Sequence, residues 1–154
     1  MKRVAIPGTL GATDAAVTGD LLVTLANVSL GGYCAHLQSG ITNLASSTTL
    51  TLSLISETSV VGPGTYSVPG GGTYLKAGAT LQVLDAHCTA TMFPFGLDAT
   101  GGSVVVTSVT STTATGTFDL TFSGGSMSVS FSAPICTGVS LTGGPGDAGA
   151  TCLP

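Results

Sequence analysis

Charge is nearly missing from this chain: three basic and seven acidic residues among 154 make 6%, where a globular domain ordinarily carries about 25%. Three cations, Lys2, Arg3 and Lys76, cannot neutralise a run of phosphates, and affinity for nucleic acid grows with the number of such contacts. Nucleic acid is therefore not an expected partner. Long apolar runs are missing too: no stretch approaches the roughly 18 residues of a helical membrane span, so no transmembrane segment is expected. Catalytic signatures are equally scarce. There is no G-x-S-x-G elbow, no H-E-x-x-H pair and no phosphate-cradling lysine loop. Glu57, Asp85, Asp98 and Asp119 stand in no context that suggests paired carboxylates for glycoside hydrolysis. The chain does not read as an enzyme, and no cofactor is expected.

What is abundant is apolar surface and turn residues. Hydrophobic residues make up 43% and there are 23 glycines, which excludes a charge-rich disordered chain. The length fits one domain that buries about two thirds of its unfolded surface. With a net charge of −4, the exterior must be solvated mainly by Ser, Thr, Asn, Gln and backbone, a composition that suits an exported protein. The even count of four cysteines points to the same oxidising compartment. At the N-terminus, Lys2 and Arg3 resemble a signal n-region, but Pro7, Gly8, Gly11 and Asp14 interrupt the apolar stretch that should follow. The segment reads as a mature or trimmed one.

The hydrophobic pattern has period two. "GTFDLTF" sets Phe118, Leu120 and Phe122 against Thr117, Asp119 and Thr121, and "SMSVSF" sets Met127, Val129 and Phe131 against serines. With "SGG" at 123–125 as the turn, these form a hairpin over 116–133. Further strands are expected at 20–30, 48–56, 64–68, 79–86, 88–93 and 102–109, with a short helix over "VTGDLLVTLANV" as the lesser option. The expected architecture is all-β: an antiparallel sandwich of about eight strands held by disulfides, with a barrel as the alternative. One domain, 1–154, is flanked by a loose segment over 1–18 and a Gly-rich tail over 137–154. Residues 60–78, rich in Gly and Pro, read as a long exposed excursion.

Two stretches carry the candidate chemistry. "YCAH" (33–36) and "DAHC" (85–88) hold both histidines and two of the four cysteines. Cys34, His36, His87 and Cys88 have the donor types of a tetrahedral zinc set, but adjacent His87 and Cys88 would point to opposite faces of a strand. Disulfides are the simpler expectation. Three pairings are open, and Cys34 with Cys88 and Cys136 with Cys152 is the favoured one, the second stapling the tail by about 3 kcal/mol in a chain-entropy model. Tyr66 and Tyr74, flanking "SVPGGGT", are candidate ligand anchors for a glycan, against the reading that Tyr66 is the aromatic of a buried strand. The threonine-rich runs "SSTTLTLS" and "TSVTSTTATGT" are too irregular for an ice-ordering array and fit solvent-facing strands.

The segment "GSVVVTSVTSTTATGTFDLTFSGGSMSVSFSAPIC" (102–136) resembles the closing meander of secreted or lipid-anchored β-sandwich proteins of myxobacteria and related bacteria. The matching residues are Gly116, Phe118, Leu120, Phe122, Phe131, Ala133, Pro134 and Cys136, and "GPGTYSV" (62–68) is similar to a central strand of that group. The resemblance covers about a third of the chain. It implies an envelope or extracellular location and carries over no catalytic residue. The expected function is thus a non-catalytic structural or surface-interaction module, able to associate with itself through strand edges. The alternatives are a glycan-binding or other ligand-binding domain using the 60–78 loop, and a small zinc protein using the Cys-His pairs. A glycan or a surface protein is the expected kind of partner.

Overall fold

The computed structural model describes residues 2–8, 19–27, 33–38, 43–57, 60–69, 74–91, 96–136 and 152–153. Its strands are β1 (Lys2–Gly8), β2 (Gly19–Ala26), β3 (Asn43–Leu44), β4 (Ser47–Ser56), β5 (Gly64–Val68), β6 (Leu75–Leu84), β7 (Leu97–Asp98), β8 (Gly101–Val109), β9 (Thr113–Phe122), β10 (Gly125–Pro134) and β11 (Cys152–Leu153), with one short helix, α1 (Tyr33–Gln38), after β2.

The all-β expectation is met, with one refinement. The strands do not divide into two facing sheets; they form one path, β1-β2-β4-β6-β5-β8-β9-β10, with β7 added beside β6. This sheet curls until β1 lies beside β10, so the molecule is a nearly closed barrel. No ladder joins those two strands among the described residues. Most neighbours are antiparallel, but β5 runs parallel to β6 through the single pair Ser67↔Lys76, and the sheet is mixed. Where β5 leaves β6, the short β7 takes over: Leu97 and Asp98 pair with Leu81 and Thr80, and the Ala99 N–H donates to the Ala79 carbonyl at 2.8 Å. A register shift between Val106 and Ser108 in β8 bulges that strand, and bulges sharpen the twist that closure demands.

Side-chain alternation builds the interior. Leu21, Val23 and Leu25 of β2, Leu50, Leu52 and Leu54 of β4, and Phe118, Leu120 and Phe122 of β9 all face inward with Tyr66, Val104, Val106, Phe131 and Ala133. Burying a side chain of that size stabilises by about 1.5–3 kcal/mol each before the entropy of ordering is counted. One position in this core has no room for a side chain. A Cβ on Gly116 would strike the Val105 carbonyl oxygen and lie 2.8 Å from Cζ of Phe131, whose ring fills that space instead.

Several boundaries differ from the sequence expectation. The N-terminal segment expected to be loose holds β1, paired with β2 from Lys2↔Ala26 to Gly8↔Asp20. The lesser, helical reading of "VTGDLLVTLANV" gives way to β2, as its β-branched content favours. The strand expected over 88–93 is reduced to one bridge, Leu84↔Ala90, because the chain turns at Asp85–Cys88; residues 92–93 lie outside the described ones. Residues 137–151 of the expected tail also lie outside them, while β11 pairs in parallel with β3. The 116–133 hairpin forms as expected: Phe122 pairs with Gly125 across Ser123 and Gly124, and Gly125 takes φ of 147°, where glycine is favoured.

Candidate functional site

The two Cys-His stretches come out as structural devices. Asp85 follows β6 directly, and its short carboxylate folds back on its own loop: Oδ1 accepts the N–H of His87 at 2.8 Å and of Thr89 at 2.9 Å. Its carbonyl accepts the N–H of Cys88 at 3.1 Å and of Ser46 at 2.8 Å, so one residue caps a turn and ties it to the neighbouring β3–β4 connection. These bonds, Thr89 first and His87 second, together with the charge of His87, hold the Asp85 carboxyl below its usual range against a smaller opposing effect of desolvation. Cys88 sits in the left-handed region at φ 57°, which the turn imposes. The sequence signal for this cap was present, since an Asp whose side chain bonds backbone N–H groups shortly downstream is a common turn former.

"YCAH" lies on α1, so Cys34 and His36 do not share a face as they would on a strand. The favoured disulfide pairing is overturned: Cys34 is bonded to Cys136, with Cα atoms 5.2 Å apart at a sequence separation of 102. Cys88 is disulfide-bonded as well. Both sulfurs of the alternative zinc set are thereby consumed, and a disulfide sulfur is not the thiolate that zinc binds. Among the described residues no three His, Cys, Asp or Glu side chains converge as a metal site. His87 is exposed, and the side chain of His36 lies outside the described residues.

The expected tyrosine pair also separates. Tyr66 is 1% exposed and belongs to the core, because on β5 it falls on the inward side. Its hydroxyl donates to the Gly62 carbonyl at 2.8 Å and accepts the Gly62 N–H at 3.1 Å, which closes the loop preceding β5. Burial pushes the Tyr66 hydroxyl pKa up, and the bond to Gly62 opposes this in part. Tyr74 is 68% exposed, and its carbonyl accepts the Glu57 N–H at 3.0 Å. Beside it the Lys76 ammonium and the Glu57 carboxylate form an ion pair, half-exposed on both sides. Of the two proposed anchors only Tyr74 is available to a ligand.

Among the described residues, a uniform polar surface lies on the outside of β8–β10. Thr117, Asp119 and Thr121 of β9 and Ser126, Ser128, Ser130 and Ser132 of β10 are all exposed and aligned by register: Thr121 opposite Ser126, Asp119 opposite Ser128, Thr117 opposite Ser130 and Thr115 opposite Ser132. Ser103 and Val105 of β8 extend the rungs at Asp119 and Thr117. Adjacent rows stand about 4.8 Å apart and successive rungs about 6.8 Å apart, as the pleat dictates. On β2 and β4, by contrast, the outward-facing Thr24 and Thr49 are buried. The β8–β10 face is the bare one, neutral except for Asp119. On β9 and β10 the inward residues are apolar and the outward ones polar. Among the described residues no helix is long and apolar enough to cross a membrane.

No protein-family model, curated protein or solved structure matches this chain in comparisons with each.

Proposed function

We propose that this chain is an exported, non-catalytic structural or surface-interaction module of the extracellular space or cell envelope, one that associates with copies of itself. The observation that supports this most is the combination of a bare, hydroxyl-lined sheet face with cysteines held in disulfides. The interior of the barrel is occupied by Tyr66, Phe118, Phe122, Phe131 and the leucines of β2 and β4, so function falls to the outside. Disulfides such as Cys34–Cys136 persist in oxidising compartments and are rare where thiol reductants are abundant. A charge-poor exterior of serines and threonines presents hydrogen-bonding groups of either sense to another neutral surface. The resemblance of residues 102–136 to secreted or lipid-anchored β-sandwich proteins of myxobacteria agrees with this assignment.

The test is thiol trapping in intact producing cells followed by intact mass. Four blocked cysteines in the fraction outside the cytoplasm are expected, and free thiols in a cytoplasmic fraction would sink the proposal. A glycan array run with the parent protein and a Tyr74→Ala variant separates neutral-surface binding from a specific glycan site. Signal lost with Tyr74 would replace the structural reading with the ligand-binding one.

A further inference from the structure

We infer that β10 is the strand through which two copies of this chain associate, pairing edge to edge across a two-fold axis to continue the sheet from one barrel into the other. The inference rests on the self-association proposed above and names its surface.

β10 is the last strand of the sheet path, and β9 is its one ladder partner among the described residues. β1 lies beside it but has seven residues against the ten of β10, so β1 cannot flank the whole edge. The burial of the inward-facing side chains shows where cover runs out. Phe131 and Ala133, toward the Cys136 end, are buried, whereas Met127 and Val129, toward the hairpin, are only half-buried. Toward Gly125 the inward-facing apolar side chains of β10 are therefore incompletely covered, and among the described residues no ladder pairs its outer edge.

Exposed edges of this kind are usually blunted by charge, proline or a bulge. Here Gly125–Pro134 contains no charged residue, its ladder with β9 runs without a bulge, and its one proline is the final residue. The occupant that fits is the same strand of a second copy. Antiparallel pairing about a two-fold axis sets each residue against another from the same neutral Ser-x-Ser row, so no like charges meet, and Met127 and Val129 gain cover from both sides. The Cys34–Cys136 bond holds the far end of β10 to α1, leaving the hairpin half as the pairing segment.

The test uses the full oxidised chain. Sedimentation and light scattering over a concentration series should show a monomer–dimer equilibrium, and amide exchange should slow with concentration at β10 residues 126–130. Ser128→Lys with Ser130→Lys, both at exposed positions, places like charges across the proposed pair and should move the midpoint at least tenfold to higher concentration. Ser128→Ala with Ser130→Ala should leave it in place. A parent protein that is strictly monomeric at millimolar concentration overturns both this inference and the self-association beneath it. A dimer indifferent to the lysine pair, or protected elsewhere than in β10, overturns the β10 edge alone.

Discussion

The ring of Phe131 on β10 occupies the space that a side chain at Gly116 on β9 would need, and the two residues are direct partners in the β9–β10 ladder. A large residue and a residue without a side chain thus share one rung, and this complementarity packs together the last two strands of the sheet path.

Gly116→Ala is expected to destabilise the fold by about 1–3 kcal/mol, the usual cost of overpacking, seen as a lower denaturant midpoint with little change in slope. Phe131→Leu should not rescue it, because the added Cβ still meets the Val105 carbonyl.

Tyr66→Phe removes one hydroxyl and both of its bonds to Gly62, for an expected loss of about 0.5–1.5 kcal/mol. Tyr66→Ala opens a core cavity and should cost about 3–5 kcal/mol. Because burial raises the Tyr66 pKa, the folded state favours the neutral phenol. Its contribution is complete below the unfolded value near 10 and is lost as pH rises through the higher folded value, so base titration of the Tyr66→Phe variant should show a shallower decline.

The Asp85 turn responds to acid. Its folded pKa is depressed, so its contribution is complete above the unfolded value of about 3.9 and is lost as pH falls through the lower folded one. Amide exchange at His87 and Thr89, compared with residues of the β8–β9 ladder, should accelerate selectively in that window. Asp85→Asn, which keeps an acceptor oxygen, should abolish the selective pH response, while Asp85→Ala should speed exchange at every pH.

Peptide mapping without reduction should recover Cys34 linked to Cys136. Since the chain has four cysteines and Cys88 is also bonded, elimination predicts that Cys88 maps to Cys152. For a bridge closing a loop of 102 residues, the chain-entropy model gives about 4–5 kcal/mol. The Cys34→Ser, Cys136→Ser variant should lose a stability of that order in thermal or denaturant unfolding.

Sequence by itself determined the local part of this protein: all-β composition, the inward and outward faces of β9 and β10, the hairpin at 123–125 and the row of serines that faces solvent. Each follows from alternation and turn chemistry within a few neighbours, where a period of two leaves one arrangement that buries Phe118, Leu120 and Phe122 together. The cap at Asp85 is equally local, and its signal lies in "DAHC" beside the metal-like donors.

Tertiary structure decided everything that depends on which distant segments become neighbours. The Cys34–Cys136 bond exists because the sheet curls and brings the segment after β2 to the residue two beyond β10, a closure no spacing of cysteines encodes. Tyr66 is buried, as its reading as the aromatic of a buried strand has it, because β5 takes its place between β6 and β8 with Tyr66 and Val68 turned inward, although the flanking glycines and prolines suggest an exposed loop. β1 forms because β2 offers it a full ladder, which outweighs the weak strand preference of "KRVAIPG". In each case the deciding energy comes from burial and pairing across long sequence separations, terms that are absent from any window of the chain read alone.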